Sequence, residues 1–301
     1  MKKSKILVIG SLNMDWIIEV SHTPVVGETI MGHFSKEVPG GKGGNQAYTI
    51  GNLGGHVTML GAVGNDDTGK TLLETLERVG VNTSAIELRN DIQSGMALIY
   101  INGEGDNTIV VLPNANHTMT KDHIQQNKTL IEEAEIIVLQ MEIPHEAIYE
   151  AIHIAYSLGK TIILNPAPAP SSIPNDILRK IDYLTPNRTE LELLSGYTLN
   201  TLEEIELAAK SLLKKGVKHV ITTLGEKGAL LVNDKHTTHF PGYPTRVVDT
   251  TAAGDSFNGA IAVYLSEGKP IDEAIQFANR VASITVTRSG AQSSIPSRVE
   301  L

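Results

Sequence analysis

The chain has 301 residues, of which 41% are hydrophobic and 20% charged, and its formal net charge is −9. This composition is that of a globular protein with an ample core, and the acidic excess argues against nonspecific binding to nucleic acid or anionic membranes. Cysteine is absent, which excludes disulfides, thiol catalysis and thiolate zinc sites and agrees with a reducing compartment.

The N-terminal segment starts like a secretory signal but does not continue as one. Asn13 and Asp15 interrupt the apolar run, and no stretch approaches the ~18 apolar residues that a membrane span requires. We therefore expect a cytoplasmic protein that binds neither membrane nor nucleic acid.

Short β-branched runs alternate with amphipathic segments along most of the chain. The predicted strands are 5–9, 57–60, 136–139, 161–164, 183–185 and 219–223. The predicted helices are 45–53, 69–79, 145–158, 188–195, 202–214, 256–266 and 271–287. This alternation predicts right-handed βαβ units and a three-layer α/β/α domain with a mainly parallel sheet. Ligands of such sheets lie outside the carboxyl ends of the strands.

Two regions break this alternation. Residues 15–20 and 28–34 are predicted to be extended, and residues 94–102 and 108–112 flank a Gly/Asn-rich turn that favours a β-hairpin. Together they predict a small β-sheet built from insertions at about 12–38 and 92–112 within a single domain of 1–301.

The segment after the first predicted strand contains an amide and a carboxylate two residues apart. If this segment is extended, Asn13 and Asp15 point to the same side, because strand side chains alternate. Such a pair suits the recognition of sugar hydroxyls. A turn is the alternative, since Asn and Asp favour turns.

A glycine-rich segment, Gly-Gly-Lys-Gly-Gly-Asn-Gln-Ala from Gly40 to Ala47, precedes a helical pattern. Its glycines let the backbone approach a ligand, and Lys42 and Asn45 supply donors. The alternative is a flexible loop capped by Asn45.

A competing motif runs from Gly64 to Thr71 and matches the Walker A pattern. Asp66 and Asp67 would place two negative charges in the phosphate cradle, which disfavours a P-loop. Lys70 is then a solvated helix residue.

Further polar groups follow later strands, at the carboxyl ends where a parallel sheet forms its ligand-binding cleft. Glu142 follows the strand at 136–139, Asn187 and Glu190 follow the strand at 183–185, and Thr223 to Gly228 form a turn after the strand at 219–223. Taken alone, these are equally an exposed glutamate, a helix cap and a common turn.

The most informative segment, Asp-Thr-Thr-Ala-Ala-Gly-Asp-Ser-Phe-Asn-Gly-Ala, runs from Asp249 to Ala260. Small residues, a glycine and an acid precede an apolar helical pattern, which is typical of a helix start. Unpaired N–H groups at such a start hold phosphate or a developing anion. Asp255 would then face the substrate as a base, or, alternatively, merely cap the helix.

The segments at 40–47 and 249–260 resemble the two signatures of the ribokinase family of PfkB-type sugar kinases, and the resemblance extends over essentially the whole chain. The Gly-Gly-Lys-Gly-x-Asn-Gln form is typical of the family's ribose-specific members, although Gly44 stands where alanine is common. The resemblance implies ATP-dependent phosphorylation of the 5-hydroxyl of D-ribose, with Asp255 as general base. It also implies Mg2+ bound with ATP, K+ as an activating cation, a small-sheet lid and a homodimer formed through that lid.

The resemblance also assigns the remaining site residues. The amides of Ala252, Ala253 and Gly254 are expected to stabilise the transferring group. The sugar is expected to contact Asn13, Asp15, Gly41, Lys42, Gly43, Asn45, Glu142 and Asp255. The nucleotide is expected to contact Asn187, Glu190, Thr223, Gly225, Lys227, Gly228, Gly254 and Asn279. The monovalent cation is expected to lie among Asp249, Thr251, Thr285, Arg288, Gly290 and Ser294, mostly on backbone carbonyls.

Three alternatives stay open at the level of sequence. One is a kinase of the same family for deoxyribose, fructose or adenosine, because one or two side chains redirect hydroxyl recognition. A second is a non-catalytic sugar sensor on the same fold. The third is a P-loop NTPase that uses Lys70.

Overall fold

The computed structural model describes residues 4–301, whose strands form two sheets. Numbered along the chain, the strands are β1 (Lys5–Ile9), β2 (Asn13–Val20), β3 (Gly32–Gly40), β4 (His56–Gly64), β5 (Asn82–Arg89), β6 (Gly95–Ile101), β7 (Asn107–Leu112), β8 (Ile136–Leu139), β9 (Thr161–Leu164), β10 (Tyr183–Leu184), β11 (His219–Thr223), β12 (Ala229–Asn233) and β13 (Thr237–Phe240). The helices are α1 (Lys42–Asn52), α2 (Asp67–Arg78), α3 (Lys121–Gln126), α4 (Lys128–Glu133), α5 (His145–Ser157), α6 (Asn175–Leu178), α7 (Arg188–Ser195), α8 (Leu202–Lys214), α9 (Ala253–Ser266) and α10 (Ile271–Thr285). Within this described part of the chain, no helix has both the length and the apolar character needed to cross a bilayer.

The large sheet has the order β13-β12-β11-β10-β9-β8-β1-β4-β5. Its strands pair in parallel from β11 to β5, and β12 and β13 extend it as antiparallel strands at one edge. Central strands such as Ile136–Leu139 are buried along their whole length, because helices cover both faces of a parallel sheet. The predicted three-layer α/β fold with a mainly parallel sheet is therefore confirmed.

Two apolar cores lie on opposite faces of the large sheet. Along β1, Leu7 and Ile9 enter one core, and Ile6 and Val8 enter the other, as the two-residue period of a strand requires. Helices α5 and α8 pack on the first face, and α1, α9 and α10 pack on the second. The strands are thus held firmly, and their carboxyl ends provide fixed positions for polar side chains.

The second sheet, which we call the small sheet, has the order β3-β2-β6-β7. Strands β2 and β6 pair in parallel, and the other two pairs are antiparallel. On β7, Ile109 and Val111 lie on the face toward the large sheet and Val110 and Leu112 on the opposite face, and all four side chains are exposed. The small sheet therefore presents one apolar face to the carboxyl ends of the large sheet and a second one to solvent.

Some predicted boundaries are wrong. The helix predicted from residue 45 begins at Lys42, directly after Gly41, whose φ of 80° suits glycine. The helix predicted from residue 256 begins at Ala253. The extended segment predicted at 28–34 becomes a strand only from Gly32, and it then continues to Gly40. At the two helix starts, small or glycine-rich residues obscure the helical pattern, and packing stabilises the helix.

Candidate functional site

A cavity of about 810 Å³ separates the large sheet from the small sheet. Its floor consists of polar residues at or just after the carboxyl ends of the large-sheet strands, namely Glu142, Asn165, Thr185, Asn187 and Thr223. Its ceiling consists of apolar small-sheet residues, namely Ile17, Val38, Ala97, Ile99, Ile101, Ile109 and Val111. This position is where open parallel sheets bind their ligands.

A second cavity of about 680 Å³ lies against the turn at Gly225–Lys227 and one side of α10. The two cavities have lining residues in common, namely Thr223, Val247, Thr250, Ala253 and Gly254. The cavities therefore meet at the start of α9. Two ligands bound side by side would have their reacting ends at this junction.

The start of α9 is arranged to hold an anion. Ala252 is the N-cap and adopts a left-handed conformation with φ 59°, which is rare for a residue with a side chain and is often found at functional sites. The N–H groups of Gly254 and Asp255 have no protein acceptor within residues 4–301. The N–H of Ala253 donates to the Thr250 carbonyl at 3.3 Å, so this predicted anion-binding amide is partly engaged. The positive end of the helix dipole adds to the attraction.

Asp255 lies in the first turn of α9 and is almost fully buried. Its Oδ2 accepts a hydrogen bond from Asn45 Nδ2 at 2.9 Å, and its Oδ1 accepts one from Gln46 Nε2 at 3.1 Å. Burial raises the pKa of Asp255, while Lys42 and the two amides act in the opposite direction. A buried carboxylate with a raised pKa at a cavity wall is a candidate general base.

Asn13 and Asp15 lie on β2 and line the first cavity together. Asn116 fixes the orientation of the Asn13 amide: its Oδ1 accepts from the Leu12 N–H at 2.9 Å, so its Nδ2 must donate, and it does so to Asn13 Oδ1 at 2.8 Å. The Nδ2 of Asn13 is then left as a donor for a ligand. No sequence pattern indicated Asn116, which is 104 residues from Leu12.

The site also changes the titration of the Asp15 carboxyl group. Burial, together with the nearby carboxylates of Glu142 and Asp255, raises the pKa of Asp15 to about 7, and Lys42 opposes the shift. The lack of a side chain at Gly40 makes room for this carboxyl, because a Cβ there would collide with it. Gly40 therefore serves the geometry of the site through Asp15.

Lys42 and Glu142 form the polar centre of the floor. Lys42 Nζ lies 3.8 Å from Glu142 Oε1, and Glu142 Oε2 accepts from Ser11 Oγ at 2.6 Å and from the Lys42 N–H at 3.0 Å. Burial alone would lower the pKa of Lys42, but the carboxylates of Asp255, Glu142, Glu190 and Asp15 outweigh it and raise that pKa. Lys42 is thus a permanently charged ammonium.

The remaining predicted sugar residues do not all reach the cavity. Gly41 and Asn45 line it, but Gly43 does not. A Cβ on Gly43 would lie 2.6 Å from the Ser11 nitrogen, so Gly43 allows α1 to pack against the end of β1. Gly43 thus has a packing role in this structure, and its contact with a ligand stays a prediction.

The predicted nucleotide residues are divided between the cavities. Asn187 and Glu190 line the first cavity, while Thr223 and Gly254 lie at the junction. Asn187 and Glu190 also cap α7 reciprocally, with both hydrogen bonds at 2.8 Å. Burial raises the pKa of Glu190. The second cavity holds Gly225, Lys227, Gly228 and Asn279.

The predicted cation residues lie close together, but only some of them face the cavity. Asp249 accepts hydrogen bonds from the N–H of Thr251 and the N–H of Gly290, both at 2.9 Å, and these three residues line the first cavity. Thr285 and Ser294 are fully buried behind it. The Arg288 guanidinium pairs with Glu300 at 2.7 Å. Of the Arg288 atoms, therefore, only the backbone carbonyl oxygen is suited to cation binding, because the guanidinium is itself positively charged.

The Walker-like stretch does not form a phosphate loop. Asp66 caps α2 by accepting from the Gly69 N–H at 2.6 Å, and it also accepts from Ser94 Oγ at 2.7 Å. Its carboxylate occupies the space that a phosphate would need, and Lys70 is exposed. This segment lines neither cavity.

Comparison with known proteins identifies relatives over the full length. The pattern described as pfkB family carbohydrate kinase matches residues 3–298. The chain is 39% identical to a ribokinase of Bacillus subtilis over 297 residues, which cover 98% of the chain and 97% of that protein. It is 37% identical to a deoxyribokinase of Salmonella typhi over 292 residues, which cover 97% and 95% respectively. The structure of Arabidopsis thaliana ribokinase complexed with ribose and ATP superposes with a TM-score of 0.93 at 33% identity, covering 99% of this chain and 97% of the other.

The raised pKa of Asp15 predicts how stability depends on pH. Between the ordinary pKa of 3.8 and the folded value of about 7, the folded protein binds a proton that the unfolded chain releases, so the Asp15 carboxyl lowers stability as pH rises through this window. We expect the free energy of unfolding of Asp15→Asn, relative to the parent protein, to increase by about 4 kcal/mol between pH 4 and pH 7.5. Urea unfolding of both ligand-free proteins across this range measures the difference. A difference independent of pH would show that Asp15 titrates in the folded protein as it does in the unfolded chain.

Proposed function

The chain belongs to the pfkB family of carbohydrate kinases, and we propose that it transfers the γ-phosphoryl group of ATP to the 5-hydroxyl of D-ribose, giving D-ribose 5-phosphate and ADP. One observation carries this proposal: the two cavities meet at the start of α9, beside Asp255. A sugar in the first cavity and a nucleotide in the second would present a hydroxyl and a phosphate to each other there.

Asp255 is the proposed general base. Its carboxylate accepts the proton of the 5-hydroxyl while the hydroxyl oxygen bonds to the γ-phosphorus and the bond to the β-phosphate oxygen breaks. Because burial raises its pKa, it is a stronger base near neutral pH than an exposed aspartate. The hydroxyl proton ends on Asp255, and ADP is the leaving group.

Charge on the transferring group is the main barrier that a kinase must lower. The N–H groups of Ala252 and Gly254, together with that of Asp255 and the dipole of α9, are placed to stabilise this charge. The Ala253 N–H joins them if it leaves the Thr250 carbonyl. These groups are fixed by the helix, so little reorganisation is needed during transfer.

The polar floor is suited to a small polyol. Asn13 offers an amide donor, Lys42 an ammonium, and Asp15 and Glu142 carboxyl acceptors within one cavity. Asn45 and Gly41 complete the wall next to Asp255. An apolar ceiling that closes over the sugar would exclude water, which would otherwise compete with the sugar as acceptor.

Deoxyribose is the second candidate substrate. The identity to the Salmonella typhi deoxyribokinase, 37%, is close to the 39% identity to the Bacillus subtilis ribokinase. Sequence identity therefore does not select between the two sugars. We favour ribose because the floor is rich in buried polar groups, and a missing hydroxyl would leave one of them without a partner.

The proposed cofactors fit the residues present. Magnesium bound to ATP phosphates typically uses one or two carboxylates and several waters, and Glu190 with Asn187 offers such a sparse set on the cavity wall. Within residues 4–301, no cluster of three or more histidines and acids would form an all-protein metal site. When bound, magnesium would supply positive charge to the phosphates.

A potassium site is proposed beside the start of α9. Although burial opposes it, hydrogen bonds from Thr251 and Gly290 lower the pKa of Asp249, so that this carboxylate is charged. Asp249 and the carbonyls of the loop around Gly290 form an oxygen-rich set suited to a hard cation. The remaining predicted ligands, Thr285 and Ser294, lie buried behind this set.

The small sheet is the proposed lid, formed from about 12–38 and 92–112 within one domain of 1–301. Its outer face exposes apolar side chains, with Val110 47% exposed and Leu112 41% exposed on the edge strand β7. An open strand edge with such residues is a liability unless it is covered. We propose that a second copy of the chain covers it in a homodimer.

Removing the proton acceptor should abolish turnover without abolishing binding. We expect Asp255→Asn to lower kcat by about 10³-fold, with ribose and ATP still bound, because asparagine keeps the shape but cannot take the proton. Lys70→Ala is the matched control and should leave kcat unchanged, since Lys70 is exposed outside both cavities. Coupled ADP assays and titration calorimetry provide the two readouts. Retained turnover in Asp255→Asn would remove Asp255 as the base.

The substrate and cation proposals are tested together. ADP release with Mg-ATP should depend on ribose, exceed that with deoxyribose, fructose or adenosine, and be stimulated by K+ relative to Na+. Faster turnover with another acceptor would keep the mechanism but reassign Asn13, Asp15 and Lys42. Binding of ribose without turnover on any acceptor would indicate a sensor, and equal rates in K+ and Na+ would argue against the cation site.

The dimer is tested by a charge placed on the outer face of the small sheet. Val110→Glu should sediment as a monomer at micromolar concentration, because a carboxylate in an apolar interface loses its solvation. Leu207→Glu is the control: Leu207 is an exposed leucine (56%) on α8, and its replacement should leave the dimer intact. A monomeric parent protein under the same conditions would contradict the proposal.

A further inference from the structure

Three buried amide side chains form a hydrogen-bonded set that reaches Asp255. One of them lies on α1, and the other two lie just after large-sheet strands. Gln46 lies on α1, Gln140 follows β8, and Asn165 follows β9. Gln46 and Gln140 are fully buried, and Asn165 is nearly so. Gln140 Nε2 donates to Gln46 Oε1 at 2.8 Å, and Gln46 Nε2 donates to Asn165 Oδ1 at 3.2 Å and to Asp255 Oδ1 at 3.1 Å.

One backbone carbonyl determines the direction of the whole set. The Thr185 carbonyl can only accept, so Asn165 must turn its Nδ2 toward it, at 3.2 Å. The Oδ1 of Asn165 then faces Gln46, which must present its Nε2. The two hydrogens of that nitrogen serve Asn165 and Asp255, and the Oε1 of Gln46 is left to accept from Gln140. The hydrogen bonds of Asn165 and Gln140 thus require that Gln46 present its Nε2 group to Asp255.

This arrangement gives each oxygen of Asp255 one N–H donor, Asn45 on Oδ2 and Gln46 on Oδ1. We propose that Gln46 is a positioning residue for Asp255, and that Gln140 and Asn165 fix the direction of the Gln46 amide. The inference rests on the proposed role of Asp255 as base. Through its hydrogen bond, Gln46 orients the Asp255 carboxylate and favours its charged form, although Gln46 itself lines neither cavity.

The charged groups around Asp255 set the expected effect of losing Gln46. Lys42 from α1 favours the ionised carboxylate, while Glu142 after β8, Asp15 on β2 and Glu190 on α7 oppose it. Burial also opposes ionisation. Without the Gln46 donor, Asn45, Lys42 and the positive end of the α9 dipole remain to favour the ionised carboxylate. The pKa of Asp255 should therefore rise, so that the base is protonated at a higher pH.

Gln46→Leu keeps the approximate volume and removes the amide. We expect kcat to fall by about 10- to 100-fold, as for loss of a hydrogen bond to a charged group. The acid limb of kcat/KM for ribose should move up by about one pH unit, and the KM for ATP should not change. Thr222→Val is the control. The Thr222 hydroxyl is buried without a partner, so its loss changes core polarity without touching Asp255, and activity should be retained.

A double-mutant cycle separates positioning from general core damage. Gln140→Leu should have a smaller effect of the same kind, and it should have no further effect on kcat when Gln46 is already leucine, because Gln140 acts only through Gln46. Additive losses, or an acid limb that stays in place in Gln46→Leu, would overturn the proposal.

Gln46→Glu and Asp255→Asn separate failure of the positioning role from loss of folding and from failure of the proposed base. If Gln46→Leu does not fold, Gln46→Glu retains the shape, and its carboxylate should move the acid limb upward even further; an unmoved limb would again overturn the proposal. If Asp255→Asn retains turnover, the proposed base itself fails. If Asp255→Asn is inactive while Gln46→Leu behaves like the parent protein, only the positioning role fails.

Discussion

The structure depends on how one buried carboxyl group is surrounded. Asp255 is almost fully buried at the start of α9, and an unpaired charge there would be costly. Its partners come chiefly from one helix: Lys42, Asn45 and Gln46 of α1 occupy positions i, i+3 and i+4, which lie on one face of a helix. The spacing of the N-terminal signature is therefore the spacing needed to surround Asp255 with an ammonium and two amide donors.

The glycines of both signatures bring these partners within reach. A Cβ on Gly43 would lie 2.6 Å from the Ser11 nitrogen, and a Cβ on Gly259 would lie 2.6 Å from the Thr49 Cβ. The first glycine allows α1 to approach the end of β1, and the second allows α1 and α9 to approach each other. Larger side chains at these positions would separate Asp255 from its donors, so these glycines support the chemistry through packing.

Much of this could be predicted from the sequence, and the limits have physical causes. The alternation of apolar periods predicted the three-layer fold, and the small residues before Asp255 predicted the helix start. The start of α1 at Lys42 was missed because glycines weaken any helical pattern, although packing makes a helix there. Asn116, Gln140 and Asn165 could not be identified, since single buried amides follow no period. They become important only when the fold brings distant segments together, as when β9, β8 and β1 align in the large sheet. The left-handed backbone conformation of Ala252 could not be predicted either, because alanine rarely adopts it.

Charge explains why the site needs fixed dipoles and cations in addition to Lys42. The single ammonium of Lys42 is surrounded by four carboxylates, those of Asp15, Glu142, Glu190 and Asp255. The incoming phosphates of a nucleotide would add further negative charge to this low-dielectric region. The N–H groups at the start of α9 offset part of that charge, and under the proposed function the cations at Glu190 and Asp249 offset more. With a pKa of about 7, Asp15 is partly protonated at neutral pH. Partial protonation reduces the repulsion between Asp15 and the neighbouring carboxylates. It also allows the Asp15 carboxyl group to donate a hydrogen bond to a hydroxyl or to accept one from it. Under the proposed function, the burial that raises the pKa of Asp255, the base, thus also raises the pKa of Asp15, which contacts the sugar.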